Sequence, residues 1–291
     1  MSKQTWAGGA KYHPLPPRIW HRIRAALRAI ALVILIGFGL FVLLGLRAIE
    51  RPLFAQRRPW TPWITQTVCR GALWIFALEY QIQGRASATC GAVVANHGSW
   101  LDIFVLNAAQ QVYFVSKAEV AKWPGIGLLA RATGTVFIQR DRREAREQTR
   151  IFENRLGAGH KLLFFPEGTS SDTLRVLPFK PTLFAAFFSP AFVKDICVQP
   201  VSLRYQAPQG EDPRFYGWWG DMGFGPHLWQ VLCAPRQGRI LVVFHEPIAV
   251  RSHETRKTLA ATCEAVIQSG FDDSSNRFDQ QLPDSGSIHK A

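Results

Sequence analysis

Apolar positions fall along this chain in two regimes. Residues 29–46 are eighteen consecutive uncharged residues dominated by Ile, Leu, Val and Phe, close to the roughly 20 that a helix needs to cross a hydrocarbon layer. The next stretch, 60–80, holds Trp63, Ile64, Val68, Leu73, Trp74, Ile75, Phe76 and Leu78 but is broken by Arg70. That pattern predicts an interfacial amphipathic helix rather than a second free span. Residues 1–82 are therefore expected to form a membrane-anchoring helical hairpin. Past residue 82, short apolar runs ending in turn residues alternate with longer helical stretches, which predicts an α/β domain over 83–269. Strands are expected at 92–95, 112–115, 135–138, 162–165, 196–203 and 240–244, and helices at 101–110, 142–157, 182–190 and 254–268. Residues 207–238, rich in Gly, Pro and aromatics, predict a long insertion, and the polar composition of 270–291 predicts a disordered tail.

Charge sharpens the membrane assignment. The chain carries 34 Lys and Arg against 21 Asp and Glu, a net +13, which points to anionic partners. Ten of those basic residues lie in the first 58 positions, opposed there only by Glu50. Most of the excess thus brackets the apolar run, which favours membrane lipids and excludes nucleic acid as the main partner. Basic residues on both flanks leave the positive-inside bias without a direction. A cleaved signal peptide would have a shorter apolar region and a small-residue cleavage site. Five cysteines (Cys69, Cys90, Cys197, Cys233, Cys263), odd in number and without a Cys-x-x-Cys pair, predict neither a disulfide framework nor a zinc site. The expectation is a domain in a reducing compartment, facing the cytoplasm from the inner membrane.

Three segments carry candidate chemistry, each at the end of a predicted strand. In Asn96-His97-Gly98-Ser99-Trp100-Leu101-Asp102 a carboxylate can orient a His to act as general base, because imidazole titrates near neutral pH. Ser99 and Asp102 also fit a helix-capping box, and the two readings are compatible. In Gly134-Thr135-Val136-Phe137-Ile138-Gln139-Arg140 an apolar strand delivers an Arg whose planar fork suits a phosphate; alternatively Arg140 opens a solvated basic face with Arg142, Arg143, Arg146 and Arg150. In Phe164-Phe165-Pro166-Glu167-Gly168-Thr169-Ser170-Ser171 Pro166 and Gly168 shape a turn whose amides and hydroxyls can hold an anion, or which is an ordinary surface turn.

Together, in this order and at strand ends, these segments resemble the glycerophospholipid acyltransferases typified by bacterial 1-acylglycerol-3-phosphate acyltransferase. The family's His-x4-Asp motif falls on His97 and Asp102, Gly-x-x-Phe-Ile-x-Arg on Gly134 to Arg140, and Phe-Pro-Glu-Gly-Thr on Phe165 to Thr169. A weaker Pro-containing apolar motif falls on Val198-Gln199-Pro200-Val201, and Lys117-Ala118-Glu119 matches the connecting segment. The resemblance implies a mixed sheet flanked by helices, and direct acyl transfer without an acyl-enzyme. In that scheme His97 deprotonates the acceptor hydroxyl and Asp102 holds its tautomer. Arg140, Glu167, Gly168, Thr169, Lys117 and Pro200 are then expected around the substrates. Glu167 sits awkwardly beside a phosphate, and ordering the turn or orienting Arg140 is the role expected of it. One departure stands out: after Phe179-Lys180 the family usually has Gly, and this chain has Pro181.

The implied partners are a lysophospholipid acceptor and acyl-CoA or acyl carrier protein; the acyl thioester is a co-substrate, and no cofactor or metal is expected. Lysophosphatidic acid is the default acceptor, with lyso-ornithine lipid the alternative. The chain lacks a Gly-x-Ser-x-Gly elbow and a Walker A loop. The rival from another class is a membrane lipid-binding protein that keeps the fold without turnover.

Overall fold

A computed structural model of the chain describes Trp6, Gly8 and residues 17–139, 145–189 and 196–280. The chain opens with a helical hairpin, α1 (Ile19–Phe54) and α2 (Thr61–Phe76). Glycine lets the two helices close on each other: a Cβ at Gly39 would lie 2.3 Å from Val68 Cγ2, and one at Gly71 3.0 Å from Leu35 Cδ2. The residues α1 buries, Ala25, Leu32, Gly39, Leu43 and Glu50, run along its length, because α2, α6 and α4 pack beside it. Trp20, Leu27, Val33, Ile34, Phe38 and Phe41 on the other side stay exposed. Arg70 and Gln66 of α2 both donate to the Ala108 carbonyl, at 3.0 and 3.1 Å.

Eight strands follow: β1 (Glu79–Gln83), β2 (Ala92–Ala95), β3 (Tyr113–Lys117), β4 (Val136–Ile138), β5 (Leu162–Phe164), β6 (Cys197–Gln206), β7 (Arg239–Phe244) and β8 (Ile248–Ala249). They form one mixed sheet in the order β1, β7, β6, β2, β5, β3, β4, with β8 also on β6. The sheet is parallel from β6 through β2, β5 and β3 to β4, and β7 runs antiparallel to β6. Helices α3 (Asp102–Ala109), α4 (Ile126–Thr133), α5 (Ala145–Gly157), α6 (Phe224–Cys233) and α7 (Arg256–Gln280) complete the fold.

Strand β2 shows why the sheet is a middle layer. All four of its residues are buried, Val93 and Ala95 against Leu73, Phe76 and Leu106, and Ala92 and Val94 against Phe184, Leu259 and Ile267. A strand covered on both faces reads as a continuous apolar run.

Several expectations are corrected here. Sequence periodicity missed β1 and β8, which are short, and also α4 and α6; α6 forms inside the predicted insertion. Residues 182–190 were expected to be helical, and the observed element is a 3-10 helix, Pro181–Phe188. Pro181 opens it, which explains the departure from the family's glycine, since a helix's first residue needs no amide hydrogen. The helix expected to end at 268 continues as α7 to Gln280, so residues 270–280 are helical rather than disordered; residues 281–291 lie outside the described residues. Finally, Cys90 and Cys197 form a disulfide, with Cα atoms 4.9 Å apart across 107 residues of sequence. Linear spacing gave no sign of it, because the pairing arises only from the register that sets Ala92 beside Val198 on adjacent parallel strands.

Candidate active site

The parallel strands end on one rim, and the turn after β2 carries the candidate base. Asn96 closes that strand: its amide donates to the Leu203 carbonyl (2.8 Å) and its oxygen accepts from the Leu203 N–H (2.7 Å). The chain then turns sharply through Gly98, where a Cβ would come within 2.6 Å of Thr173 Cγ2 and 3.0 Å of its Cα, so glycine is required. His97 Nδ1 lies 2.7 Å from Asp102 Oδ2. The same oxygen accepts the backbone amides of Gly98 (3.0 Å) and Ser99 (3.1 Å), while Oδ1 accepts the Tyr205 hydroxyl. With this acceptor fully buried and facing Nδ1, the imidazole carries its hydrogen on Nδ1 and leaves the Nε2 lone pair free to take a proton.

The expected capping box does not form: Asp102 is the first residue of α3 and Leu101 its N-cap, with no side-chain cap bond. The Asp102 bond to the Ser99 amide and the Ser99 Oγ bond to the Leu101 amide, at 3.3 Å, instead order the turn before the helix.

The turn after β5 forms the second wall. Phe165 stacks on His97 with ring centroids 4.0 Å apart and planes 11° apart, which fixes the ring's tilt. Glu167 is 1% exposed, and its Oε1 accepts the His97 N–H at 2.9 Å. Burial pushes this carboxyl well above the usual range, nearby Asp102 and Glu264 add to the shift, and the His97 amide opposes it. Glu167 is thus a buried carboxyl that supports the His97 backbone amide.

The remaining predicted residues divide. Gly168 closes the turn with φ +69° and its amide on the Phe165 carbonyl at 3.0 Å. Thr169 Oγ1 accepts the Trp6 amide at 3.3 Å. Lys117 ends β3, paired in register with Ile138, and so reaches the same rim. Pro200, in contrast, is buried within β6 opposite Val94, away from the rim. Its missing N–H falls where the neighbour of β6 changes from β8 (at Val198) to β7 (from Val201). Arg140 lies outside the described residues.

The 207–238 insertion supplies the third wall. The Trp218 amide donates to the Gly98 carbonyl at 2.9 Å, and Trp100 Nε1 donates to His227 Nδ1 at 2.8 Å. Burial lowers the His227 pKa to about 4, so neutral His227 accepts from Trp100 on Nδ1 and donates from Nε2 to the Phe215 carbonyl, 3.2 Å away. Phe215, Tyr216 and Trp219 are core residues, whereas Trp229 is 40% exposed.

Sequence reasoning overlooked Tyr205 and gave no role to Phe165. Tyr205 had a sign: Val201, Leu203 and Tyr205 alternate along one strand toward a single buried face, and a hydroxyl there requires a partner.

A base aimed at a rim, held by a buried carboxylate, can take a hydroxyl proton while that oxygen attacks an acyl carbonyl. The comparisons agree. The acyltransferase family matches residues 81–204, and a lyso-ornithine lipid O-acyltransferase from Rhodobacter capsulatus is 55% identical over 271 residues, 93% of this chain and 98% of that protein. The chain belongs to the acyltransferase family. A lyso-ornithine lipid O-acyltransferase from Brucella abortus is 40% identical over 213 residues, 68% of this acyltransferase and 79% of its own length. A 1-acyl-sn-glycerol-3-phosphate acyltransferase from Neisseria meningitidis is 37% identical over 141 residues, 48% of this chain and 53% of its own. The crystal structure of the 1-acyl-sn-glycerophosphate acyltransferase PlsC from Thermotoga maritima superposes with a TM-score of 0.61 at 22% identity, covering 88% of this chain and 98% of that one; the two share a fold. Among the described residues one helix, α1, is long and apolar enough to cross a membrane.

Proposed function

We propose that this acyltransferase moves a fatty acyl group from an acyl thioester, acyl-CoA or acyl carrier protein, to the free hydroxyl of lyso-ornithine lipid. The observation that carries the acceptor is the 55% identity over 98% of the Rhodobacter capsulatus enzyme. That relation outweighs the lysophosphatidic acid default, whose Neisseria meningitidis relative matches over 53% of its length; that acceptor is the second reading. His97 is the general base and Asp102 its orienting carboxylate, with Tyr205, Phe165 and Glu167 holding the pair. Lys117, Gly168, Thr169 and Arg140 are proposed to meet the head group or the acyl donor, while Pro200 shapes the sheet. The reaction needs no cofactor or metal in this scheme. Because the domain packs alongside α1 rather than at one end, the helix lies in one leaflet of the inner membrane with its apolar side outward; the Cys90–Cys197 disulfide withdraws the cysteine argument for a reducing, cytoplasmic face.

The test is acyl transfer by detergent-purified protein to lyso-ornithine lipid and to 1-acylglycerol 3-phosphate, each with acyl-CoA and acyl carrier protein, followed by mass spectrometry. Diacylated ornithine lipid is the expected product. Turnover of 1-acylglycerol 3-phosphate alone would select the second reading. No turnover of either by folded protein would leave a lipid-binding protein.

A further inference from the structure

The N-terminal ends of β3, β4 and β5 lie on the rim opposite His97, and there the chain gathers arginines. A cavity of about 770 Å³ between α1, α4 and α5 is lined by Arg47, Arg51, Arg58, Arg131 and Arg155, together with Leu44 and Leu128. Backbone carbonyls hold these side chains in place. Arg58 Nη1 donates to Ala132 (2.9 Å), Arg155 Nη2 to Gly134, Arg131 Nη1 to Ala121, and Arg47 Nη2 to Ala55 (2.8 Å).

Carboxylates are scarce. Among the described residues the one acid paired with any of the five is Glu50, 3.6 Å from Arg47. Its oxygens are already engaged by the Trp60 and Thr61 amides and the Thr61 hydroxyl, at 2.6 to 2.9 Å. Elsewhere the chain does pair its arginines, as in Arg150 with Glu147 and Arg214 with Asp212.

Donors are also left over. The Nε atoms of Arg58 and Arg155 are enclosed without a hydrogen-bond partner. His160 lies against Tyr113, ring centroids 4.2 Å apart with planes tilted by 31°, and the Arg155 guanidinium lies over the Tyr113 ring, 4.6 Å from its centroid. Burial and the neighbouring Arg58 lower the Arg155 pKa to about 10. Unpaired buried donors and crowded like charges are both costly, and an anion with several acceptor oxygens relieves both at once.

The surroundings indicate what carries that anion. The cavity opens beside the C-terminal half of α1, where Leu44, Ile49 and Leu53 are exposed, and Leu128 of its own lining is 49% exposed. A cationic pocket bordered by an apolar surface matches a molecule with a phosphate at one end and acyl chains at the other.

We propose that this cavity is a second lipid site, distinct from the active site, which seats the headgroup phosphate of a membrane glycerophospholipid and lays its chains along α1. It sets the depth and tilt of the enzyme in the leaflet, and it does not depend on which acceptor is acylated.

The experiment uses the full chain in detergent micelles, titrated with dioctanoyl phosphatidylglycerol, with inorganic phosphate, and with dioctanoylglycerol, reading affinity by calorimetry. Phosphatidylglycerol is expected to saturate a site that R51Q/R131Q weakens by roughly tenfold or more, the loss of charge-assisted hydrogen bonds. Both residues are exposed, so this variant keeps the fold; R155Q is the companion that removes a buried donor. Acyl transfer by R51Q/R131Q in detergent should equal wild type, and H97A should bind phosphatidylglycerol as wild type does. Unchanged phosphatidylglycerol affinity in R51Q/R131Q overturns the proposal. So does dioctanoylglycerol binding as tightly as phosphatidylglycerol, or inorganic phosphate binding as tightly, since the former needs no phosphate and the latter no lipid.

Discussion

Replacing Asp102 by Asn separates its turn-ordering role from its catalytic one. Three donors converge on Oδ2, from His97, Gly98 and Ser99, so the Asn oxygen must occupy that position and its NH2 must turn toward Tyr205. The Tyr205 hydroxyl, which donates to Oδ1 in the native site, can rotate and accept instead. The local hydrogen bonds therefore survive, and folding should cost about 1 to 3 kcal/mol. The rate should suffer more. Proton uptake by His97 creates an imidazolium, which the carboxylate stabilises across 2.7 Å between the nearest atoms. With charge centres about 4 Å apart and an effective dielectric of about 20, the attraction is ~4 kcal/mol. Its loss corresponds to roughly 10³-fold in turnover. His97→Ala should lose about 10²- to 10⁴-fold. The double variant should be little worse than His97→Ala alone, because the two act as one unit. Tyr205→Phe should cost roughly tenfold in turnover with little change in the acceptor Michaelis constant, as one buried bond to the carboxylate disappears. The assay is thiol release from acyl-CoA, alongside circular dichroism to confirm folding. Folded His97→Ala protein retaining more than about a tenth of wild-type turnover would refute the general-base mechanism.

Three further outcomes follow from the same geometry. Glu167→Gln should keep the His97 amide bond and most of the activity. Because the folded pKa of Glu167 is raised, its proton is lost more readily in the unfolded chain. Native stability falls as pH rises above about 4.5, and the substitution should remove that component in urea melts at pH 8. His227 and His160 have folded pKa values lowered to about 4 and about 3. Protons then bind the unfolded chain first, and stability should drop by up to about 1.4 kcal/mol per pH unit for each as pH falls below about 6.5; a flat profile between pH 7 and 5 would count against both assignments. Gly39→Leu should part α1 from α2, given the 2.3 Å approach to Val68, and lower the melting midpoint by several degrees, while Gly37→Leu, whose Cβ meets nothing within 4 Å, should not.

The sequence by itself determined the helical hairpin, the positions of the central strands, the His97–Asp102 pair and the turn at Glu167. Each of these is local: an apolar run long enough for a membrane, a buried strand ending in a turn, a base and a carboxylate within one helical turn. Tertiary structure decided what depends on contacts between distant segments. Tyr205 reaches Asp102 across 103 residues, and Cys90 meets Cys197 across 107, both because β2 and β6 are neighbours in register. Glu167 looked like a charge facing the substrate until the fold enclosed it behind His97, where burial raises its pKa. The basic residues near α1 read as a general attraction to lipid. Folding gives them separate tasks: Arg28 donates to the Leu232 and Ala234 carbonyls, each at 3.0 Å, whereas Arg47, Arg51 and Arg58 meet Arg131 and Arg155 around one cavity. Charge composition is additive along a chain, but which charges share a cavity is set by packing between helices that are remote in sequence.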